Sequence, residues 1–471
     1  MNPQPKTATL AALPPKYPAA DDLRAQIRAR VDASRRALVV LDDDPTGTQT
    51  VHDVPVLTTW SVDALAAELS GEDNVFYVLT NSRSLTAADA AALNREIGRN
   101  LTAAAARTGR AVAVVSRSDS TLRGHFPGEV TALAEGLGQS FDGRIIVPFF
   151  LEGGRYTIND VHWVAEGDQL IPAAQTPYAR DAAFGYTQSN LKEWVAEKSG
   201  GAIAAEDVAS ISIEDLRVGG PAAVTAKLMA LHDEQPCVVN AASYRDLEIF
   251  VLGLLAAEDA GKRFLYRTAA SFVQVRAGIS ARPLLTAADL GVAQGSGALF
   301  VVGSYVPKTT AQLNALLSRT DITALEVDVD SLLADRAGTV QSIVAAANAS
   351  LREDGVTVVY TSRKYVGAAG GESDLSIGAQ VSAGLIDIVR GVDVRPRYLV
   401  AKGGITSSDV ATRGLDVRSA VVAGQILPGV PVWRIGEESR FPGLAYIVFP
   451  GNVGGDDALV QVVEGLENSV H

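Results

Sequence analysis

Three polar clusters follow three apolar runs in the first third of the chain. Asp42-Asp43-Asp44-Pro45-Thr46-Gly47 comes after ALVVL, and Thr80-Asn81-Ser82-Arg83-Ser84 after VFYVL. Ser116-Arg117-Ser118-Asp119-Ser120-Thr121-Leu122-Arg123-Gly124 comes after AVAVV. Carboxylates, hydroxyls and guanidinium groups thus recur just beyond strand-like runs, where open α/β sheets bind their ligands. Adjacent aspartates repel one another and lose hydration on burial, so a fold keeps them where arginine, a metal or water satisfies them. In this cluster Asp43 or Asp44 can accept a proton from a hydroxyl or hold Mg²⁺, with Asp119 as the next candidate. Asp44 alone equally suits a helix cap. Arg83, Arg117 and Arg123 carry the planar fork that clamps a carboxylate, and the same forks suit ion pairs with these aspartates.

The C-terminal part of the chain carries a different pattern. Gly303-Ser304 follows ALFVV, Lys402-Gly403-Gly404-Ile405-Thr406 follows YLVA, and Pro450-Gly451-Asn452-Val453-Gly454-Gly455 follows AYIVF. Each turn leads into a helical pattern and offers the free N–H groups of a helix start, which suit phosphate. Any one is an ordinary connection; three in one domain point to a nucleotide. No G-x-x-x-x-G-K-[ST], placed G-x-G-x-x-G or G-x-S-x-G is present, and the one H-x-E, His232-Asp233-Glu234, stands in a chain whose single cysteine cannot supply a P-C-x-x-C pair. A Walker ATPase, a classical dehydrogenase, a zinc deaminase and an α/β-hydrolase therefore lose ground.

The elements that must position these residues are short β-branched runs alternating with Ala/Leu-rich stretches of helical spacing. Continuous apolar strands between helices predict parallel sheets covered on both faces, an α/β fold in two domains. At 471 residues, 47% hydrophobic and 20% charged, the chain has the composition of a folded multidomain protein. Residues 1–35 read as an N-terminal extension, 36–285 as the first domain and 296–471 as the second, divided by the small-residue stretch ending in AQGSG. A net charge of −13 without a Lys/Arg run argues against nucleic acid. No apolar run reaches the ~18 residues of a membrane span, so neither membrane nor export is expected. The single cysteine, Cys237, sits among apolar neighbours and reads as a buried thiol in a cytoplasmic protein. Five scattered histidines make a histidine metal centre improbable.

Taken in order, these blocks resemble the four-carbon acid sugar kinase family over nearly the whole chain after residue 35. Asp42 to Thr48 match its N-terminal motif and Ser82-Arg83-Ser84 its serine-arginine element. Arg117 to Gly124 match its long Lys-x-Asp-Ser-Thr-Leu-Arg-Gly block. Gly303-Ser304, Gly403 to Thr406 and Gly451 to Gly454 match its C-terminal turns. This sequence departs from the pattern at Asp42, Pro45, Arg117, Ile405 and Phe449-Pro450.

The resemblance implies two α/β domains, each a mostly parallel sheet flanked by helices, with the active site in the cleft between them. It implies ATP- and Mg²⁺-dependent phosphorylation of the terminal hydroxyl of a small, four-carbon sugar acid. By position, Asp43 or Asp44, Arg83, Arg117, Ser118, Asp119, Ser120, Thr121 and Arg123 would serve the acid. Ser304, Gly403, Gly404, Ile405, Thr406, Gly451 and Asn452 would serve ATP. A sugar-acid dehydrogenase or lyase, and a nucleotide sensor without turnover, are the competing readings. The partners expected are the acid and ATP, with a homo-oligomer left open.

Overall fold

A computed structural model describes residues 1–18, 22–292, 294–362 and 372–467. The chain folds as two compact units, one of Met1–Val51 with Thr59–Ala281 and one of His52–Thr58 with Arg282–His471.

The first unit is built on parallel strands in the spatial order Ala209–Ile211, Gln235–Val239, Gly143–Val147, Phe264–Thr268, Val112–Arg117, Ala37–Asp42 and Val75–Leu79. Ala37–Asp42 is buried at every position, which is why its sequence shows no polar alternation. Each fully buried Val, Leu or Phe in such a strand contributes about 1.5–3 kcal/mol. The flanking helices are set by their ends as well as by their apolar faces. Thr86 caps Ala87–Thr108 by accepting from Asp89 N, and Gly109 ends that helix at φ 68°. A small antiparallel sheet of Gln4–Pro5, Gln169–Pro172, Val161–Glu166 and Arg155–Ile158 packs within the same unit.

Residues 1–35 are part of this unit rather than an arm outside it. Leu23, Ile27 and Val31 recur every fourth residue, so the helix Leu23–Ser34 presents one apolar stripe, and all three are buried. Arg24 also donates to the Ile279 carbonyl at 2.5 Å.

In the second unit the strands Ala445–Phe449, Tyr398–Lys402, Ala298–Val302, Val356–Thr361 and Ile322–Val327 pair in parallel in that order. The hairpin Ser419–Leu427/Val430–Ile435 adds antiparallel strands, and Val54–Leu57 pairs with its outer strand, Val56 opposite Ala420. Residues 52–58, read from sequence as part of the first domain, therefore complete the sheet of the second. Leu285 N likewise donates to the Gln425 carbonyl at 2.7 Å, which ties 282–285 to this unit. No helix among the described residues is long and apolar enough to cross a membrane. Cys237 is buried, and that burial pushes its thiol up to about 12.

Candidate active site

Register brings the three N-terminal clusters to one rim. Asp42 pairs with Leu79 on one side and Arg117 on the other, and Arg117 pairs with Thr268 of the next strand. Side chains leaving these four strands meet over a few ångströms. Arg83 grips Asp43 with both arms of its fork, Nε to Oδ2 at 3.1 Å and Nη2 to Oδ1 at 2.5 Å. Ser118 Oγ donates to Asp43 Oδ2 at 2.8 Å. Beneath them Arg117 Nη1 donates to Asp42 Oδ1 at 3.2 Å, with both side chains almost fully buried.

Two glycines let the backbone close this tightly. A Cβ on Gly47 would lie 2.0 Å from Asp42 Oδ2, so the turn covers that carboxylate only as glycine. Gly124, at φ 120°, would put a Cβ 2.6 Å from Ser118 Oγ. Asp44 accepts from Thr46 N at 2.9 Å and Thr46 Oγ1 at 2.5 Å, capping the short helix Pro45–Thr48. All of the bonds that Asp119 accepts within its own loop fall on Oδ2, from Thr121 N at 3.2 Å, Thr121 Oγ1, Arg123 N at 3.4 Å and Arg123 Nε at 2.9 Å.

The loop 118–124 is held from outside by three carbonyl contacts. His162 Nε2 lies 2.7 Å from Ser120 O, Tyr186 OH donates to Thr121 O at 2.7 Å, and Arg267 Nη2 donates to Arg123 O at 3.0 Å. Burial pushes His162 down to about 4, so the ring is neutral at pH 7. Its Nε2–H then faces the Ser120 carbonyl, and Nδ1 accepts from Thr157 Oγ1 at 3.1 Å. Arg267 also stacks over the Trp194 ring at 5.3 Å, and Arg123 over Tyr178 at the same distance.

Charge is unevenly shared in this network. Burial pushes Asp42 up to about 7 against the pull of Arg117, and pushes Glu129 up to about 7, helped by Asp43. Asp119 goes the other way. Burial raises it, but Arg123 and Arg83 outweigh burial and hold its carboxyl well below the usual range. Asp44 is also lowered, since Arg83 and Thr46 outweigh its burial.

In the second unit Val302 pairs with Lys402 and Lys402 with Phe449, so the three glycine turns leave neighbouring strands at one level. Thr309 Oγ1 donates to Gly451 O at 3.2 Å, and Gly403 N to Phe449 O at 2.8 Å. A Cβ on Gly303 would meet Thr406 Oγ1 at 2.5 Å, and one on Gly403, at φ 112°, would meet Ser304 Cβ at 2.9 Å. The turns thus pack against one another through backbone and small side chains.

Comparison with known proteins agrees with this division. A sugar-binding N-terminal domain matches residues 38–276, more than half of the chain, and a nucleotide-binding C-terminal domain matches 299–459. The chain belongs to the four-carbon acid sugar kinase family. The fold is shared with a DUF1537 family protein of Haemophilus influenzae, 18% identical, with a TM-score of 0.59 over 91% of this chain and 100% of that one. It is also shared with a protein of Salmonella typhimurium LT2 that carries a provisional tRNA synthase label, 19% identical, with a TM-score of 0.65 over 90% and 98%. No curated protein gives a significant match.

Within the family's sugar-binding domain, the structure brings together Asp43, Asp44, Arg83, Arg117, Ser118, Asp119 and Arg123. It separates them by depth. Arg117 and Asp43 have side chains 4% exposed, whereas those of Arg83 and Arg123 are 18% and 23% exposed. Arg117, read from sequence as half of a carboxylate clamp or as an ion-pair partner of the aspartates, is buried and donates to Asp42. In the nucleotide-binding domain Ser304, Gly403, Thr406 and Gly451 adjoin one another, while Ile405 is 59% exposed. His162, Tyr186 and Arg267 lie outside the sequence-derived site, in which Lys402 stands only as the first residue of a glycine turn. Arg267-Thr268 ends the run FLY and was legible by the same strand-end rule; His162 and Tyr186 carry no local signal.

Proposed function

We propose that the protein transfers the γ-phosphoryl group of ATP to the terminal hydroxyl of a small sugar acid, of about four carbons. The observation that carries this reading is the division of labour just described, with charged side chains on the sugar-binding domain and glycine turns on the nucleotide-binding domain. Phosphoryl transfer needs positioning and charge neutralisation more than covalent chemistry, and these two surfaces offer those.

In this reading Arg83 and Arg123, less deeply buried than Arg117, receive the carboxylate, and Ser118, Ser120 and Thr121 bond the polyol. Asp119 presents Oδ1 to the attacking hydroxyl, since its loop bonds fall on Oδ2. Arg123 and Arg83 keep it ionised and able to accept the proton as the O–P bond forms. Asp43, under Arg83 and Ser118, and Asp44, capping Thr46, position this arrangement. On the nucleotide side, the amides around Ser304, Gly403, Gly404, Ile405, Thr406, Gly451 and Asn452 receive the phosphates. No group of three carboxylate, histidine or cysteine side chains among the described residues forms a metal cage. Asp42 to Asp44 are taken up by Arg117, Arg83 and Thr46, so they do not fit a resident Mg²⁺ site, and Mg²⁺ is assigned to the nucleotide's own phosphate oxygens.

Incubation with ATP, Mg²⁺ and a panel of sugar acids tests the proposal. ADP release that requires one acid, and stops with the matching neutral sugar, is the expected result. Nucleotide binding without acid-dependent ADP release supports a sensor instead, and oxidation of an acid with NAD⁺ supports a dehydrogenase.

A further inference from the structure

Lys402 ends the strand Tyr398–Lys402 and is wholly buried, which is rare for lysine without a paired carboxylate. Its ammonium donates to Pro450 O at 2.5 Å and Gly451 O at 3.3 Å, and lies 4.1 Å from the centre of the Phe449 ring. No carboxylate is among the groups that bear on it; the one charge that does is another cation, Lys308, itself 3.2 Å from Asp456. A buried cation held by carbonyls and a ring face is short of an anion.

The turn shows where that anion would sit. A trans peptide directs its C=O and N–H to opposite sides, and the peptides here are trans. Carbonyls of Pro450 and Gly451 drawn in to Lys402 therefore turn the N–H groups of Gly451 and Asn452 away from it. Two successive amides facing outward over a buried positive charge make an anion-binding concavity. Gly403 and Ser304 adjoin the same place.

We propose that Lys402 is a positioning residue for the nucleotide's phosphates, orienting the Pro450–Gly451 turn and supplying the charge beneath it. The inference rests on the reading of this domain as the ATP site and adds a proton to it. Burial and Lys308 bring Lys402 down to about 7, so near neutrality the free protein holds it only partly charged. A bound polyphosphate favours the ammonium. Binding above pH 7 therefore draws in a proton, and affinity falls as pH rises.

Titration calorimetry of the full chain with MgATP, in buffers of differing ionisation heat, reads this directly. At pH 8 we expect uptake approaching one proton per ATP and affinity about tenfold weaker than at pH 6, one pH unit above a group titrating near 7. Lys402→Met is expected to bind weakly at both pH values with no uptake, and Lys402→Arg, always charged, to bind without pH dependence or uptake. Wild-type binding without proton uptake and with equal affinity at pH 6 and 8 would overturn the role of Lys402 while leaving the ATP site standing. Absence of MgATP binding by the wild type at either pH would instead sink the ATP site, and Lys402 with it.

Discussion

In the proposed reaction the two domains would hold their anions in opposite ways. The sugar-binding domain uses side chains, with Arg83, Arg117 and Arg123 each pinned by an aspartate and the loop 118–124 held by His162, Tyr186 and Arg267. The nucleotide-binding domain uses backbone, with glycine turns in mutual contact over one buried ammonium. Side-chain recognition suits a ligand whose stereochemistry must be read, because each fork and hydroxyl has its own direction. Amide recognition suits a phosphate chain, which is symmetric and needs density of N–H groups more than discrimination.

The largest effect should come from the side-chain domain. Asp119→Asn removes the proposed proton acceptor and should lower kcat by about 10²–10⁴-fold with ATP affinity unchanged. Full turnover in that variant would move the acceptor to Asp44. Next is the buried support. Arg117→Leu leaves Asp42 without its partner and should destabilise the protein by about 3 kcal/mol, read by urea denaturation, whereas Arg83→Lys should chiefly raise KM for the acid. If Arg117→Leu keeps its stability and loses acid affinity, the assignment by depth is wrong.

A third pair separates the domains. Gly403→Ala, forced against Ser304 at a positive φ, should weaken MgATP binding about tenfold and spare the acid. Gly124→Ala, forced against Ser118, should do the reverse. Equal losses of both ligands in either variant would mean the two surfaces are not independent.

A further effect is in the pH dependence of stability. Asp42 and Glu129 are raised to about 7 in the folded protein, so the folded state binds their protons more tightly than the unfolded chain. Their contribution is full below about pH 4, declines as pH rises to 7 and is lost above it. Glu129→Gln should flatten part of that slope in denaturation series from pH 4 to 8. An unchanged slope would show that Glu129 titrates normally.

Much of this was legible in the residues themselves, because parallel strands buried on both faces leave an unmistakable apolar run and place function at its end. ALVVL, VFYVL and AVAVV point to the polar rim of the sugar-binding domain, and the three glycine turns to neighbouring strand ends of the nucleotide-binding one. Weaker patterns carry less signal. The strand Phe264–Thr268, which delivers Arg267, has only Phe264, Leu265 and Tyr266 before its arginine, and Ser419–Leu427 alternates instead of running continuously apolar. Spacing could not say that Val54–Leu57 leaves its neighbours for the second domain, since four apolar residues pair with whichever edge is open.

By itself, then, the sequence determined the fold class, the two-part organisation and the residue types at each strand end, all of which follow from local periodicity and backbone chemistry. Only the tertiary structure decided which arginine is exposed and which supports, that Asp44 caps Thr46 while Asp119 keeps an oxygen to offer, and that Lys402 is buried without a carboxylate. Depth and partnership depend on which strands become neighbours. One residue of register turns a side chain from the rim to the core, and no local pattern records what it will meet there.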